Sequence, residues 1–146
     1  DKIPNACEEM LRYNTAFTLM RRQCMEDTEV GGHLIQKGDK VIMHYHTVNH
    51  DETIFGEDAM QFDVRRAERI PDLYNQHRAF GIGQHFCLGT HLARLEMRVM
   101  FEEIIPRLRN PKLVGEVAYT RSNLVNGIKR MHITFDPEVK KATAAA

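Results

Sequence analysis

At 146 residues with 42% hydrophobic and 27% charged side chains, the chain carries enough apolar material for one domain-sized core, and its composition shows no sign of disorder. Twenty Lys and Arg offset twenty Asp and Glu, so the overall charge suggests neither a nucleic-acid-binding surface nor an anionic-membrane surface. Three widely spaced cysteines, Cys7, Cys24 and Cys87, argue against a disulfide framework and fit a reducing, cytoplasmic compartment. No run approaches the roughly 18 apolar residues of a membrane span, and no basic-then-apolar leader is visible.

Along the chain, Pro4 suits a first helical turn, and Ala6, Cys7, Met10 and Leu11 give an apolar face up to about Tyr13. Glu9 and Arg12 lie three apart on one side of that helix, a spacing that by itself predicts a surface ion pair worth a few tenths of a kcal/mol. Short extended segments follow, broken by Gly31-Gly32 and by Lys37-Gly38-Asp39, with a strand over Lys40 to Val48. Asn49 to Phe55 predicts a capped helical turn, and an irregular connection then runs from Gly56 through Pro71. From Leu88 the series Leu88, Leu92, Leu95, Val99 predicts an amphipathic helix to about Ile105, closed by Pro106. The last part, Tyr119 to Phe135, predicts a hairpin around Asn126-Gly127, and Lys140 to Ala146 reads as a frayed tail.

Between the connection and the long helix lies Phe80 to Gly89, F-G-I-G-Q-H-F-C-L-G. Gly81 and Gly83 permit tight turns and close backbone approach to a planar ligand, while Cys87 stands just before the helix, where unpaired backbone amides favour a thiolate. A cysteine in that position alone is equally a buried, inert one. The full order Phe80, Gly83, His85, Cys87, Gly89 resembles the haem-binding signature of the cytochrome P-450 family of haem-thiolate monooxygenases.

That resemblance implies a mostly α fold with a small β component, in which residues 1–139 are the C-terminal, haem-proximal part of a larger domain and 140–146 a disordered tail. The implied parts are the K helix, a small sheet, the meander, the cysteine loop, the L helix and a terminal hairpin. It implies haem b (iron protoporphyrin IX) with Cys87 as axial thiolate and catalytic ligand, and a cofactor-binding set of Arg22, His77, Phe80, Gly81, Gly83, His85, Cys87 and Gly89. Within it Arg22, His77 and His85 match positions facing the haem propionates, and Glu9 with Arg12 forms the E-x-x-R pair that locks the helix to the meander. The family usually adds Arg or His just before the meander phenylalanine, whereas this chain has Gln61 before Phe62, leaving Arg65 or Arg66 as substitutes.

Two segments, Thr15 to Leu19 and Asn123 to Val125, match the family's substrate-facing stretches, so Ala16, Phe17, Leu19, Leu124 and Val125 are candidate apolar walls. Met20-Arg21-Arg22 and Ser122 to Met131 resemble bacterial members that oxidise steroid side chains, terpenoids or long alkyl chains. The implied reaction uses O2 and two electrons to hydroxylate an unactivated C–H bond. Reducing equivalents would come from a ferredoxin or flavin-type partner docked near Cys87 and the Arg94/Arg98 side of the helix. The oxygen-activating distal helix has no match here, so the remainder of the enzyme is expected on a missing N-terminal portion or another chain, and this chain alone is expected to be inactive. Two alternatives remain open: a non-catalytic haem-binding or interaction module, and a zinc site in which His44 and His46, on one strand face, join His50 or His33.

Overall fold

The computed structural model describes residues 2–136; the tail expected over 140–146 lies outside the described residues. Pro4 sits in the first turn of helix α1 (Ile3–Tyr13), where its missing N–H breaks no intrahelical bond. Strand β1 (Met20–Gln23) follows and pairs antiparallel with β4 (Lys40–Met43), placing Arg22 opposite Val41. Between them β2 (Thr28–Val30) and β3 (His33–Ile35) form a two-residue hairpin. Gly31 and Gly32 both have positive φ, 57° and 80°, which a side-chain-bearing residue adopts only with strain and which matches the right-handed twist of the flanking strands.

The expected strand over Lys40 to Val48 stops at Met43, and Tyr45–Val48 instead forms a short helix, α2. A second turn, α3 (Glu52–Phe55), is capped by Asp51, whose carboxylate accepts from the Thr53 N–H at 2.9 Å. The capped turn expected over Asn49 to Phe55 thus begins at Asp51, and Asn49 is wholly buried with another task. Within the long connection lie α4 (Arg66–Arg69) and α5 (Leu73–Gln76), followed by a 3-10 turn over Gly83–His85 and the long helix α6 (Thr90–Ile104).

Strand β5 (Arg109–Tyr119) starts well before the expected position at Tyr119 and pairs antiparallel with β6 (Ile128–Asp136). Asn126-Gly127 is thus the end of a broad connection over residues 120–127 and not a two-residue turn. The longer hairpin, together with the two smaller strand pairs, makes the fold a mixed α/β one, with more strand than the expectation of a mostly α chain.

Helix α1 packs against α4, α5 and α6. The apolar cluster beside it is small: Phe55, Ala59 and Leu73, flanked by Ala67 and Ile70. The largest fully buried side chains are instead Arg12 and Arg66, with Glu9, Asn49 and Thr15 among the others. Meanwhile α6 leaves Leu92, Leu95 and Val99 exposed. Charge pairing and backbone carbonyls, more than apolar burial, hold this region together.

Candidate functional site

Cys87 rides on a loop whose shape is set by its glycines. Gly81 (φ 78°) and Gly83 (φ 71°) occupy the left-handed region. A Cβ on Gly81 would lie 3.4 Å from the hydroxyl of buried Tyr45, the first residue of α2, so the loop rests directly on that helix. Phe86 N donates to Gly83 O at 3.0 Å, and Cys87 N to Phe80 O at 3.0 Å, closing the loop on itself. Thr90 N donates to Cys87 O at 3.4 Å as α6 begins after Gly89. The outcome is an exposed free thiol presented by a pinned backbone, with Leu88 beside it fully exposed.

Cys7 contrasts with it. That thiol is buried in α1, and burial, followed by the nearby carboxylates of Glu8 and Glu102, pushes its pKa up. Cys24 is half-buried and its Sγ donates to Glu26 O at 2.8 Å.

Within α1, Glu9 and Arg12 form no surface pair. Both side chains are fully buried, with Arg12 Nε 2.7 Å from Glu9 Oε2 and Nη2 2.8 Å from Oε1. Arg12 also donates to the carbonyls of Asn49 (2.6 Å), Ala59 (2.9 Å) and Gln61 (3.1 Å). Arg66 completes the group: its Nε is 3.1 Å from Glu9 Oε1, and its other nitrogens reach the carbonyls of Phe55, Asp58 and Gln61 and the carboxylate of Asp58. Of the two substitutes for the missing cation before Phe62, the buried one is Arg66, while Arg65 is exposed. Gln61 contributes its backbone carbonyl. Burial alone would raise the Glu9 carboxyl, but hydrogen bonds from Arg12, the Asp63 N–H and Arg66 outweigh it and hold the group below its ordinary range.

Asn49 ties the same region to the cysteine loop's approach: its Nδ2 donates to Thr15 Oγ1 at 2.7 Å and its Oδ1 accepts from Arg78 N at 2.6 Å. No spacing in the sequence marks this residue, because its partners lie far away along the chain.

The three expected carboxylate-binding side chains are placed differently. His85 ends the 3-10 turn and is exposed; Arg22 is half-buried on β1, its guanidinium donating to Arg21 O at 3.1 Å. His77 is buried and both of its ring nitrogens are engaged within the protein, Nδ1 accepting from Ala79 N at 3.3 Å and Nε2 lying 2.9 Å from Glu8 Oε2. In this structure the His77 ring is thus occupied by partners within the protein. Arg94, expected on a docking surface, is similarly occupied: its side chain is 11% exposed and grips both Glu8 oxygens at 2.8 and 3.0 Å. Arg98 is exposed and paired with Glu102 at 2.8 Å.

The two segments singled out as substrate-facing meet in space. Phe17 and Val125 form an antiparallel bridge, Thr18 N donates to Leu124 O at 3.0 Å, and Asn126 N to Ala16 O at 2.8 Å. Phe17, Leu124 and Val125 present exposed apolar surface there, with Ala16 exposed and Leu19 half-buried beside them.

The zinc alternative fails on geometry. Tyr45 and His46 belong to a helix, so His44 and His46 do not share a strand face; His50 Nδ1 lies 2.8 Å from His46 O and His44 Nδ1 2.9 Å from Thr47 Oγ1. Among the described residues no cluster of three metal-ligating side chains occurs.

Residues 3–117 match the sequence profile of the family described as Cytochrome P450. The chain belongs to the cytochrome P450 family. Linalool 8-monooxygenase of Pseudomonas putida is 40% identical over 136 residues, covering 93% of this chain and 32% of that protein. A steroid C26-monooxygenase of Mycolicibacterium smegmatis is 38% identical over 139 residues, covering 94% of this chain and 33% of its own length. In three dimensions, cytochrome P450-153 from Novosphingobium aromaticivorans superposes with a TM-score of 0.84 at 38% identity, over 92% of this chain and 33% of that one. The chain thus spans about a third of the length of the P450 relatives it matches. No described helix is long and apolar enough to cross a membrane.

Proposed function

We propose that residues 1–139 are the haem-proximal part of a cytochrome P450 monooxygenase, with Cys87 as the axial ligand of haem b. The observation that carries this reading is the exposed Cys87 thiol on a loop pinned by the Cys87 N–H to Phe80 O bond and by two left-handed glycines. The residues present fit such a group: a single sulfur donor, glycines at 81 and 83, and an apolar surround of Ile82, Phe86 and Leu88, all exposed. When bound, haem ligated by thiolate supplies the oxygen-activating chemistry that hydroxylates an unactivated C–H bond.

In this reading α1 is the K helix, α6 the L helix, and residues 56–79 the meander that Glu9, Arg12 and Arg66 anchor. His85 and Arg22 bind the haem carboxylates, Arg22 being free of any carboxylate partner among the described residues. Phe80 and Gly89 flank the sulfur; a Cβ on Gly89 would come 3.9 Å from Cys87 Sγ. Ala16, Phe17, Leu19, Leu124 and Val125 wall the substrate cavity, which favours an apolar substrate of the terpenoid, steroid or long-alkyl class. The distal half comes from a further portion of the enzyme, electrons from a ferredoxin or flavin-type donor, and the free cysteines suit a cytoplasmic setting.

The test is full-length protein carrying haem, reduced under carbon monoxide. A far-red-shifted Soret band is expected, lost in C87A and kept in C7A and C24A; a histidine-type spectrum in the wild type would overturn the ligand assignment. A haem protein that accepts no electrons and oxidises nothing from a panel of terpenoids, steroids and alkanes would instead be a non-catalytic module.

A further inference from the structure

Adjacent residues of α1 serve two separate clusters. Glu9 belongs to the Arg12/Arg66 group, whereas Glu8 joins His77, ahead of the cysteine loop, to Arg94 on α6. We propose that Glu8, His77 and Arg94 are positioning residues for Cys87, fixing the backbone on both sides of the thiol. The inference rests on the assignment of Cys87 as the haem ligand.

The route is continuous. Arg94 Nε and Nη2 grip Glu8 Oε1 and Oε2 at 2.8 and 3.0 Å, and Nη2 also donates to Tyr74 O at 3.2 Å. The guanidinium lies 3.6 Å from the Tyr74 ring centroid and 4.6 Å from that of Phe80. Arg94 Nη1 donates to the hydroxyl of buried Thr90. Phe80 and Thr90 are the residues that hold the cysteine backbone: Phe80 O accepts from Cys87 N, and Thr90 N donates to Cys87 O. One arginine therefore holds the side chains of the two residues whose backbone groups bond Cys87.

His77 supplies a second route. Its Nδ1 accepts from Ala79 N, the residue preceding Phe80, so Nε2 carries the proton donated to Glu8. Side-chain exposures of 1% for His77, 11% for Arg94 and 15% for Glu8 mean these contacts are largely shielded from water, where charge-assisted bonds hold geometry most strongly. Burial would raise the Glu8 carboxyl, but the hydrogen bonds from His77 and Arg94 outweigh it and keep the group lowered.

The experiment uses full-length haem protein and the substitutions E8Q, R94Q and R94K. R107Q, which removes an exposed arginine just beyond the same helix, is the charge control, and F55L, in the apolar cluster, is the reference for a general loss of stability. The readouts are the Soret position of the reduced carbon monoxide complex, its rate of conversion to the thiol-type spectrum in mild denaturant, and the ferric/ferrous midpoint potential. E8Q and both Arg94 variants should convert about tenfold faster, the usual scale for losing a partner that orients a metal ligand, and shift the potential. R94K keeps the charge but loses the flat fork and ring stacking, so it should not restore wild-type behaviour. R107Q should match wild type, and F55L should lower the unfolding temperature without moving the potential. If E8Q and R94K change only stability, as F55L does, the positioning role is overturned; should R94Q fail to fold, those two milder variants decide it. A wild type lacking the thiolate spectrum would instead bring down the assignment of Cys87 itself.

Discussion

Arg12 and Arg66 are the side chains on which this region most depends, because each is wholly buried and each satisfies several backbone carbonyls as well as Glu9. Removing one partner of a buried, hydrogen-bonded charge leaves the others uncompensated, at a cost of about 3–5 kcal/mol. R66A should lower stability by that amount in equilibrium denaturation, whereas R65A, at an exposed position, should change it by less than about 0.5 kcal/mol. Asp58 adds a pH dependence. Hydrogen bonds from Arg69 and then Arg66 hold its carboxyl at about 2, below its ordinary value of 3.8. A carboxyl depressed in the folded state stabilises fully above its unfolded value and loses that contribution as pH falls through its folded value. The unfolding midpoint should therefore fall between roughly pH 4 and pH 2, and D58N should flatten that limb. The cysteines separate by exposure: in haem-free protein an alkylating reagent should modify Cys87 well before Cys7, as peptide mass mapping would report, and haem should protect Cys87.

At the level of elements, local signals were legible where one short stretch determines its own backbone. Pro4 placed the start of α1, Gly31-Gly32 the β2–β3 turn, and the leucine series the body of α6. Segments whose conformation depends on distant partners carry no such local signal. Lys40 to Val48 looks extended after the Lys37-Gly38-Asp39 break, yet Tyr45 turns inward under Gly81 and starts a helix. The hairpin looks short in the sequence because β5 carries Pro111, a left-handed Asn110 and Gly115 at register shifts, which break the alternation that announces a strand. Nothing local in the sequence marks the pairing of His77 and Arg94, because their common partner, Glu8, lies far off along the chain. The bridge between Phe17 and Val125 has its own consequence. V125P would remove the Val125 N–H bond to Ser122 Oγ and disturb the stretch 124–126 where it meets 16–18, and the expected result in full-length enzyme is weakened binding of apolar substrates with an unchanged thiolate spectrum. Spectral titration with a terpenoid checks both halves.

Across the whole molecule, the apolar residues outnumber the places to bury them within this chain. Leu92, Leu95 and Val99 share one side of α6 at exposures of 60%, 56% and 48%, and the apolar cluster at Phe55, Ala59 and Leu73 lies elsewhere. Burying a leucine contributes roughly 1.5–3 kcal/mol, so a helix with three such residues in water forfeits a large share of a domain's net stability. The chain spans about a third of its relatives' length, and in the proposed reading further sequence of that extent covers the face. Expressed alone, residues 1–146 should then bind an apolar dye strongly, associate as concentration rises, and catalyse no hydroxylation even with haem and a reductant supplied. The full-length protein should bind the dye weakly. Replacing Leu92, Leu95 and Val99 together with Ser sharpens the test, because the two contexts respond in opposite directions: the isolated chain should become more soluble by sedimentation analysis, while the full-length protein should lose several kcal/mol of stability. Equal solubility of the isolated chain with and without the three substitutions would show that this face is already satisfied within these residues, and would remove the physical reason for expecting the missing portion to pack there.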